Sequence, residues 1–420
     1  MAAFLQPLVG LFVLVFVAWA ASEARRKFPW RWALGAISVQ LVLAFLFLRV
    51  GILQTALGQL GQAVRALEEA SRAGSAYMFG YLGGAPLPFE TKADANTLII
   101  AFQILPIILV TAALAAILWH WRILPALIHA LSWALSRTLG IGGAAGLGTA
   151  ANFFLGVVES PLVVRAYIAR MSRSELFMVM TAGLSTVSGA VLVLYASVID
   201  DVVSNATGHI LTASLISLPA ALLFARIMIP GDARTGAENF GDALRYDNTL
   251  DALVKGVEDG LRVFLSVLAM LIVVFALVYL CNLLLALLPD VAGEPLSVNR
   301  IFGWVFAPLV VTLGIPVQEA GVAGQLMGTK AILNEFIAYQ ELATLEEGAL
   351  SARSAVIMTY ALCGFANLAS IGLQLATFST LAPERRAEIA SMGWRAWFAG
   401  NLASAATACV AAITLPVSTL

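Results

Sequence analysis

The chain has 420 residues, is 60% hydrophobic and 12% charged, and carries a formal net charge of -1. Soluble domains carry about a quarter charged residues, so this composition excludes a water-soluble globular protein and indicates an integral membrane protein. The near-neutral balance, with no basic run interleaved with aromatics, excludes a nucleic-acid partner.

Residues 4–22 form the first apolar run. It ends in Ala-Trp-Ala-Ala, in the manner of a signal-peptide cleavage region, but no positive charge precedes it and Arg25-Arg26-Lys27 follows. That flank fits a first transmembrane helix with its C-terminal end in the cytoplasm. A span needs about 20 apolar residues, and 33–52, 97–118, 208–228, 262–288 and 393–417 qualify as well. Two more apolar stretches, 175–199 and 352–378, are interrupted by Ser185-Thr-Val-Ser-Gly189 and Asn367-Leu-Ala-Ser-Ile-Gly372, which brings the expected spans to eight. Residues 53–72 turn Arg65, Glu68, Glu69 and Arg72 toward one side and read as an interfacial amphipathic helix, and 123–138 reads similarly. Residues 232–256, the most charged stretch, belong in water or at the headgroups.

The basic residues set an orientation. With the N-terminus outside, the clusters at Arg25–Arg31, Arg122–Arg173, Arg234–Lys255 and Arg385–Arg395 all fall inside, and acidic Asp200-Asp201 and Glu341…Glu347 fall outside. Both termini then face the periplasm or exterior of a bacterial-type inner membrane. Two apolar segments, 142–171 and 300–330, are left over. Each has Gly and Pro near its middle and begins and ends on one side, which predicts re-entrant hairpins, the first from the cytoplasm and the second from outside. Opposite entry is what an inverted repeat demands. The expected fold class is therefore an all-α integral membrane protein with eight transmembrane helices, two re-entrant helical hairpins of opposite orientation and interfacial amphipathic helices. It divides into 1–138 (scaffold), 139–228 (first repeat) and 229–420 (second repeat) within one membrane domain.

Two carboxylates stand out at membrane depth, where a charge is costly and is usually kept because it meets a ligand, an ion or a proton. Glu159 lies in Gly156-Val-Val-Glu-Ser-Pro161 and Glu319 in Gly314-Ile-Pro-Val-Gln-Glu-Ala-Gly321, each at a predicted hairpin tip. A half-helix that starts there offers unpaired N–H groups and a positive dipole end. Each carboxylate can serve a ligand hydroxyl or cation there, or simply cap its own helix. Asn152, ahead of the first tip, and Ser185, Thr186 and Ser188 at the first break are hard oxygen donors suited to a small cation; the bland reading is hydrogen bonding between helices. Asn367 and Ser370, three apart, share a helix face, and with Glu319 would make a receptor for adjacent sugar hydroxyls. Phe365 could stack on a ring or pack against lipid. Cys281, Cys363 and Cys409 lie in apolar segments with no metal or redox spacing, and the three histidines stand apart. No nucleophile–base pair is present, so an enzyme is not expected.

At these residues the chain resembles the concentrative nucleoside transporter family, from about Gly74 to the C-terminus. The likeness is carried by Gly74…Phe79-Gly80, Glu159-Ser-Pro-Leu162, Ser174-Glu-Leu…Met180-Thr-Ala-Gly-Leu-Ser-Thr186, Gly314-Ile-Pro…Glu319, Asn334-Glu-Phe-Ile-Ala338 and Phe365-Ala-Asn…Ser-Ile-Gly372. The resemblance implies a homotrimer that imports nucleosides with a sodium gradient, or with protons in some members. It assigns Glu319, Asn367 and Ser370 to the ribose and Glu159 to the neighbourhood of the nucleobase. It assigns Asn152, Leu155, Thr186 and Ala190 to sodium, largely through backbone oxygens, and Val191 and Phe365 to apolar contacts with the nucleoside. One departure matters. Where the family reads Gly-Gln-Thr/Ser-Glu, this chain reads Gly156-Val157-Val158-Glu159. Two base-contacting polar side chains have become apolar, so altered base selectivity is expected. The alternatives are a symporter for another ribose-like or small polar solute, and a membrane sensor or channel that binds ligand without transporting it.

Overall fold

The computed structural model describes residues 2–90, 97–232, 234–236, 245–291 and 293–415. These form helices joined by turns, with a single isolated β-bridge between Val291 and Glu294. In chain order the helices are α1 (Ala2–Ala20), α2 (Trp30–Arg49), α3 (Gly51–Phe79), α4 (Ile100–Gln103), α5 (Ile107–His120), α6 (Ile123–Leu139), α7 (Gly143–Leu155), α8 (Ser160–Val163), α9 (Arg165–Ile168) and α10 (Arg173–Ser185). They continue as α11 (Gly189–Ile199), α12 (Ala206–Met228), α13 (Thr249–Leu285), α14 (Val298–Thr312), α15 (Ala320–Ile332), α16 (Glu335–Ala343), α17 (Ala352–Leu362), α18 (Leu368–Leu381) and α19 (Arg386–Thr414).

Many of the starts are written locally. Ser172 accepts from Glu175 N while the Glu175 carboxylate accepts from Ser172 N, a reciprocal capping box that fixes the first turn of α10. Ser351 caps α17, Asn334 caps α16 and Asn367 caps α18, each accepting the backbone N–H three residues on. The two interrupted spans fall where the polar clusters put them. α10 ends at Ser185 and α11 begins at Gly189, and α17 ends at Leu362 with α18 beginning at Leu368. Both hairpins are present as helix–turn–helix units: α7 turns at Gly156–Glu159 into α8 and α9, and α14 turns at Leu313–Pro316 into α15. The returning arm of the first hairpin is two short pieces, interrupted at Val164.

Three boundaries differ from expectation. The stretch 53–72 is part of a longer helix, α3, that runs on to Phe79. The span 97–118 is divided into α4 and α5 at Pro106, whose missing N–H cannot continue the ladder. The helix expected at 262–288 starts already at Thr249, capped by Asn248, so the end of the charged stretch 232–256 is its first two turns; residues 237–244 of that stretch lie outside the described residues.

Among the described residues, five helices or helix pairs are long and apolar enough to cross a membrane: α2, α4 with α5, α12, α13 and α19 with the turn before it. Two of these form the axis of the molecule. The apolar window of α12 is 83% buried and that of α19 78%, against 12% for α13. α19 can run through the centre because it is lined with small residues, Ala399, Gly400, Ala403, Ser404, Ala406, Thr407 and Ala408 among them, which let neighbouring backbones approach closely. α13 packs chiefly on α5, where a Cβ on Gly256 or Gly260 would meet Ala113, Ala116 or Ala112 at 2.8 to 2.9 Å.

Candidate functional site

The first hairpin tip meets the first helix break. Gly156 ends α7 with φ +92, a left-handed conformation that glycine adopts at no steric cost. A Cβ there would sit 2.8 Å from Ser188 Cβ, so the hairpin tip is pressed against the break. Asn152, buried one turn earlier, ties its amide nitrogen to Gly148 O at 3.0 Å and Val179 O at 3.2 Å. Its Oδ1 is left as an acceptor and takes a short hydrogen bond from Ser160 Oγ. Leu155 is the last residue of α7. Thr186, extended at φ -119 and ψ 163, donates its hydroxyl to Ala182 O at 2.9 Å and keeps its lone pairs. The C-terminal ends of α7 and α10, each with unsatisfied carbonyls and partial negative charge, therefore converge on one place. Hard oxygens at two helix C-termini suit a small monovalent cation. Ala190 lies in the first turn of α11, and its side chain lies outside the described residues; Val191, half-buried, follows it.

Glu159 is half-buried at the tip. It occupies the N-cap position of α8 yet makes no side-chain capping bond, so capping does not explain it. Its two apolar neighbours divide. Val157 is buried and its Cγ2 points at α10, 3.3 Å from where a Cβ on Gly183 would lie, whereas Val158 is 39% exposed. Of the two, Val158 is the more accessible in this structure.

The second break holds a buried carboxylate that is not Glu319. Asn367 Nδ2 donates to Glu335 Oε2 at 2.8 Å, and Tyr195 OH donates to Glu335 Oε1 at 2.6 Å. Glu335 is the first residue of α16, where the helix dipole favours a negative charge. Asn367 Oδ1 meanwhile accepts from Ser370 N at 2.8 Å, so one side chain both caps α18 and grips the carboxylate. Phe365, half-buried, sits in the same turn, and Ser370 is buried one turn on. Behind this cluster stands Lys330, fully buried, with Nζ donating to Asn401 Oδ1 at 2.9 Å and Ser404 Oγ at 3.3 Å of α19. Asn401 Nδ2 in turn donates to Ala366 O at 3.0 Å, satisfying a carbonyl that the break has freed. Ser214 of α12 does the same for Val187 at the first break.

The expected trio of Glu319, Asn367 and Ser370 is not brought together. Glu319 Oε2 accepts from Ser351 Oγ at 3.2 Å, and Ser351 caps the start of α17. Asn367 lies beyond the other end of that helix. The eleven residues of α17 span roughly 16 Å at ~1.5 Å each. The physical reason is that the second hairpin turns at Leu313–Pro316, before Glu319, and delivers Glu335 to the break only after α15 has returned through its full length.

The two breaks pack back to back. A Cβ on Gly364 would lie 2.9 Å from Ser185 O, and a Cβ on Gly400 of α19 would meet Leu184 at 3.0 Å and Ala366 at 3.1 Å. The buried oxygens of the first break and the polar cluster on the second thus share one centre. Three members of this centre lie outside the residues that stand out in the sequence. Glu335 lies in the quoted Asn334-Glu-Phe motif and was legible as a carboxylate at a helix start in an apolar stretch. Lys330 was legible as a lone cation between apolar residues. Gln374 is buried on α18, its Nε2 donates to Met180 O at 2.8 Å, and its Oε1 has no partner among the described residues. Gln374 is one turn after Ser370 on the same face.

Comparison with known proteins agrees with this architecture. The chain matches family models described as Na+ dependent nucleoside transporter C-terminus over residues 209–412, Na+ dependent nucleoside transporter N-terminus over 9–82, and nucleoside recognition gate over 101–201. It is 32% identical to the nucleoside permease NupC of Helicobacter pylori, with 96% of each chain covered. It is 33% identical to the transporter YutK of Bacillus subtilis over 96% of this chain and 98% of the other, and 30% identical to the rat sodium/nucleoside cotransporter 1 over 96% of this chain and 63% of that longer one. Among solved structures it is similar to CNTnw in an inward-facing substrate-bound state, with a TM-score of 0.88, 32% identity and 98% of each chain covered. A CNTnw variant in an outward-facing state gives a TM-score of 0.89 at 31% identity. The chain is a multi-pass, all-α membrane protein and no enzyme, and it belongs to the concentrative, Na+-dependent nucleoside transporter family.

Proposed function

We propose that the protein is a sodium-coupled symporter that brings nucleosides into the cell, and that it grips the ribose with Glu335, Asn367 and Ser370. The observation that carries this reading is the buried Glu335–Asn367 pair at the second break, 2.8 Å long and backed by Tyr195. A carboxylate only accepts and a primary amide both donates and accepts, so together they can pair with two vicinal hydroxyls. Their present mutual hydrogen bond keeps both satisfied when no sugar is between them. Sodium is the coupling ion of the family, and here Asn152 Oδ1, the carbonyl end of α7 at Leu155 and Thr186 supply oxygens of the right hardness. Because Ser160, at the first tip, reports directly on Asn152 Oδ1, cation binding is coupled to the placement of Glu159 beside the base.

The base side is unusual. Val158 presents a methyl surface where a donor or acceptor would read a polar edge, so discrimination among bases is expected to be loose or shifted toward less polar rings. That same feature favours the second reading, a symporter for another ribose-bearing solute. The two hairpins and the broken helices of the repeats 139–228 and 229–420 would move as one body, with the closely packed α5 and α13 as part of the frame, in a homotrimer with both termini outside an inner membrane. Purified protein in proteoliposomes tests the transport reading. An inward sodium gradient should drive accumulation of labelled nucleoside above its outside concentration. Uptake that ignores sodium and never exceeds equilibration would overturn it and leave a channel or sensor.

A further inference from the structure

The ends of α1, α12 and α19 leave a groove of about 480 Å³, lined by Ala20, Ala21, Met228, Trp394, Phe398 and the arginines Arg25 and Arg395, with Ser22 at its edge. Its walls are apolar and its rim is basic. Arg395 is held in place: Nη1 donates to Ala21 O at 3.3 Å and Nε lies 3.8 Å from Glu23 Oε1. That carboxylate is already taken by Arg173 at 2.9 Å. Arg25 is placed by its own backbone, whose carbonyl accepts from Trp19 Nε1 at 2.9 Å. Its guanidinium makes no hydrogen bond or ion pair with any described residue, and Arg26 and Lys27 stand exposed beside it. One shared carboxylate therefore faces a surplus of positive charge at the mouth of an apolar groove.

A strip of apolar surface leads into it. Leu5, Leu8, Phe12 and Phe16 are 48 to 73% exposed, and their spacing of three and four puts them on one face of α1. Ala20, in the groove wall, is the next residue on that face, and Phe16 leans on Trp19 with ring centroids 5.5 Å apart. Trp394, 66% exposed, stands at the opposite wall, an amphipathic ring of the kind that settles at headgroup level. Apolar length running to a basic mouth is the outline of a phospholipid, and basic pockets at helix ends bind anionic head groups.

We infer that this groove binds one anionic phospholipid, its phosphate between Arg25 and Arg395 and an acyl chain along Phe16 and Phe12. The inference does not depend on which solute is transported. Full-length protein in detergent, titrated with phosphatidylglycerol, should unfold at progressively higher temperature, because a ligand bound only by the folded state stabilises it. Phosphatidylcholine of the same chain length and inorganic phosphate should leave the transition unmoved. Arg25→Gln, which removes no contact within the fold, should weaken phosphatidylglycerol binding about fivefold, the equivalent of ~1 kcal/mol per basic side chain at an anionic surface. Adding Arg395→Gln should weaken it about fivefold again. Equal stabilisation by phosphatidylcholine, full stabilisation by inorganic phosphate alone, or wild-type affinity in Arg25→Gln would each overturn the inference.

Discussion

Glu335→Gln is the sharpest test of the sugar site. The substitution keeps the shape of the side chain and one carbonyl oxygen. Tyr195 OH can turn to accept from the new amide, so the oxygen can stay with Asn367 Nδ2, while the Tyr195 hydroxyl hydrogen gives up its present acceptor. What changes is the charge. Hydrogen bonds to a charged group contribute about 1.5–3 kcal/mol and neutral ones about 0.5–1.5 kcal/mol, so each bond from a ribose hydroxyl weakens by about 1–1.5 kcal/mol. Two such bonds give about 2–3 kcal/mol, or roughly 30- to 150-fold in affinity at ~1.4 kcal/mol per tenfold. Calorimetric titration of purified protein with uridine or adenosine in sodium reads this directly, and a matching circular dichroism melt shows that the fold is intact. Glu319→Gln is the control. Among the described residues Glu319 bonds only Ser351, at the end of α17 roughly 16 Å from the break, so the affinity of this variant should stay within about twofold of wild type. If Glu319→Gln lost binding while Glu335→Gln kept it, the assignment of the ribose to the second break would be wrong.

Two further outcomes follow from the same packing. A Cβ on Gly183 would lie 2.9 Å from both Asn152 Oδ1 and Gln374 Nε2, so Gly183→Ala displaces Asn152, the proposed cation donor. Overpacking of this kind costs about 1–3 kcal/mol, and sodium activation of uptake should need at least several-fold more sodium while maximal uptake at saturating sodium persists; an unchanged sodium dependence would remove Asn152 from the cation site. Val157 and Val158 should respond differently to restored polarity. Val158→Thr, at an exposed position, should alter the ranking of nucleosides in competition uptake with little change in melting temperature, whereas Val157→Gln buries an amide against α10 and should destabilise by about 1–3 kcal/mol. Equal effects of the two on selectivity would show that both face the ligand.

Much of the fold was legible because membrane insertion is read from local composition. The apolar runs, the flanking arginines, the two hairpins and the two polar breaks are all properties of short windows, since each backbone group must be satisfied within its own helix or beside a neighbour at membrane depth. Asn367 and Asn152 were legible for the same reason, as amides too costly to leave in an apolar stretch without a use. The pairing of residues was not. Glu159 and Glu319 look equivalent in sequence, each a glutamate near Pro at a hairpin. Tertiary structure separates them, because α17 holds Glu319 at its far end and α15 carries Glu335 back to the break. Lys330, an isolated cation in the sequence, acquires meaning only when α19 brings Asn401 and Ser404 to it. The sequence by itself determined the class of protein, its breaks and its unusual base-side valines. Which carboxylate meets Asn367, and that the two breaks share one centre at Gly364 and Ser185, only the packing of α12 and α19 could decide, because those contacts join residues as far apart as 179 positions (364 − 185) and no local window contains both.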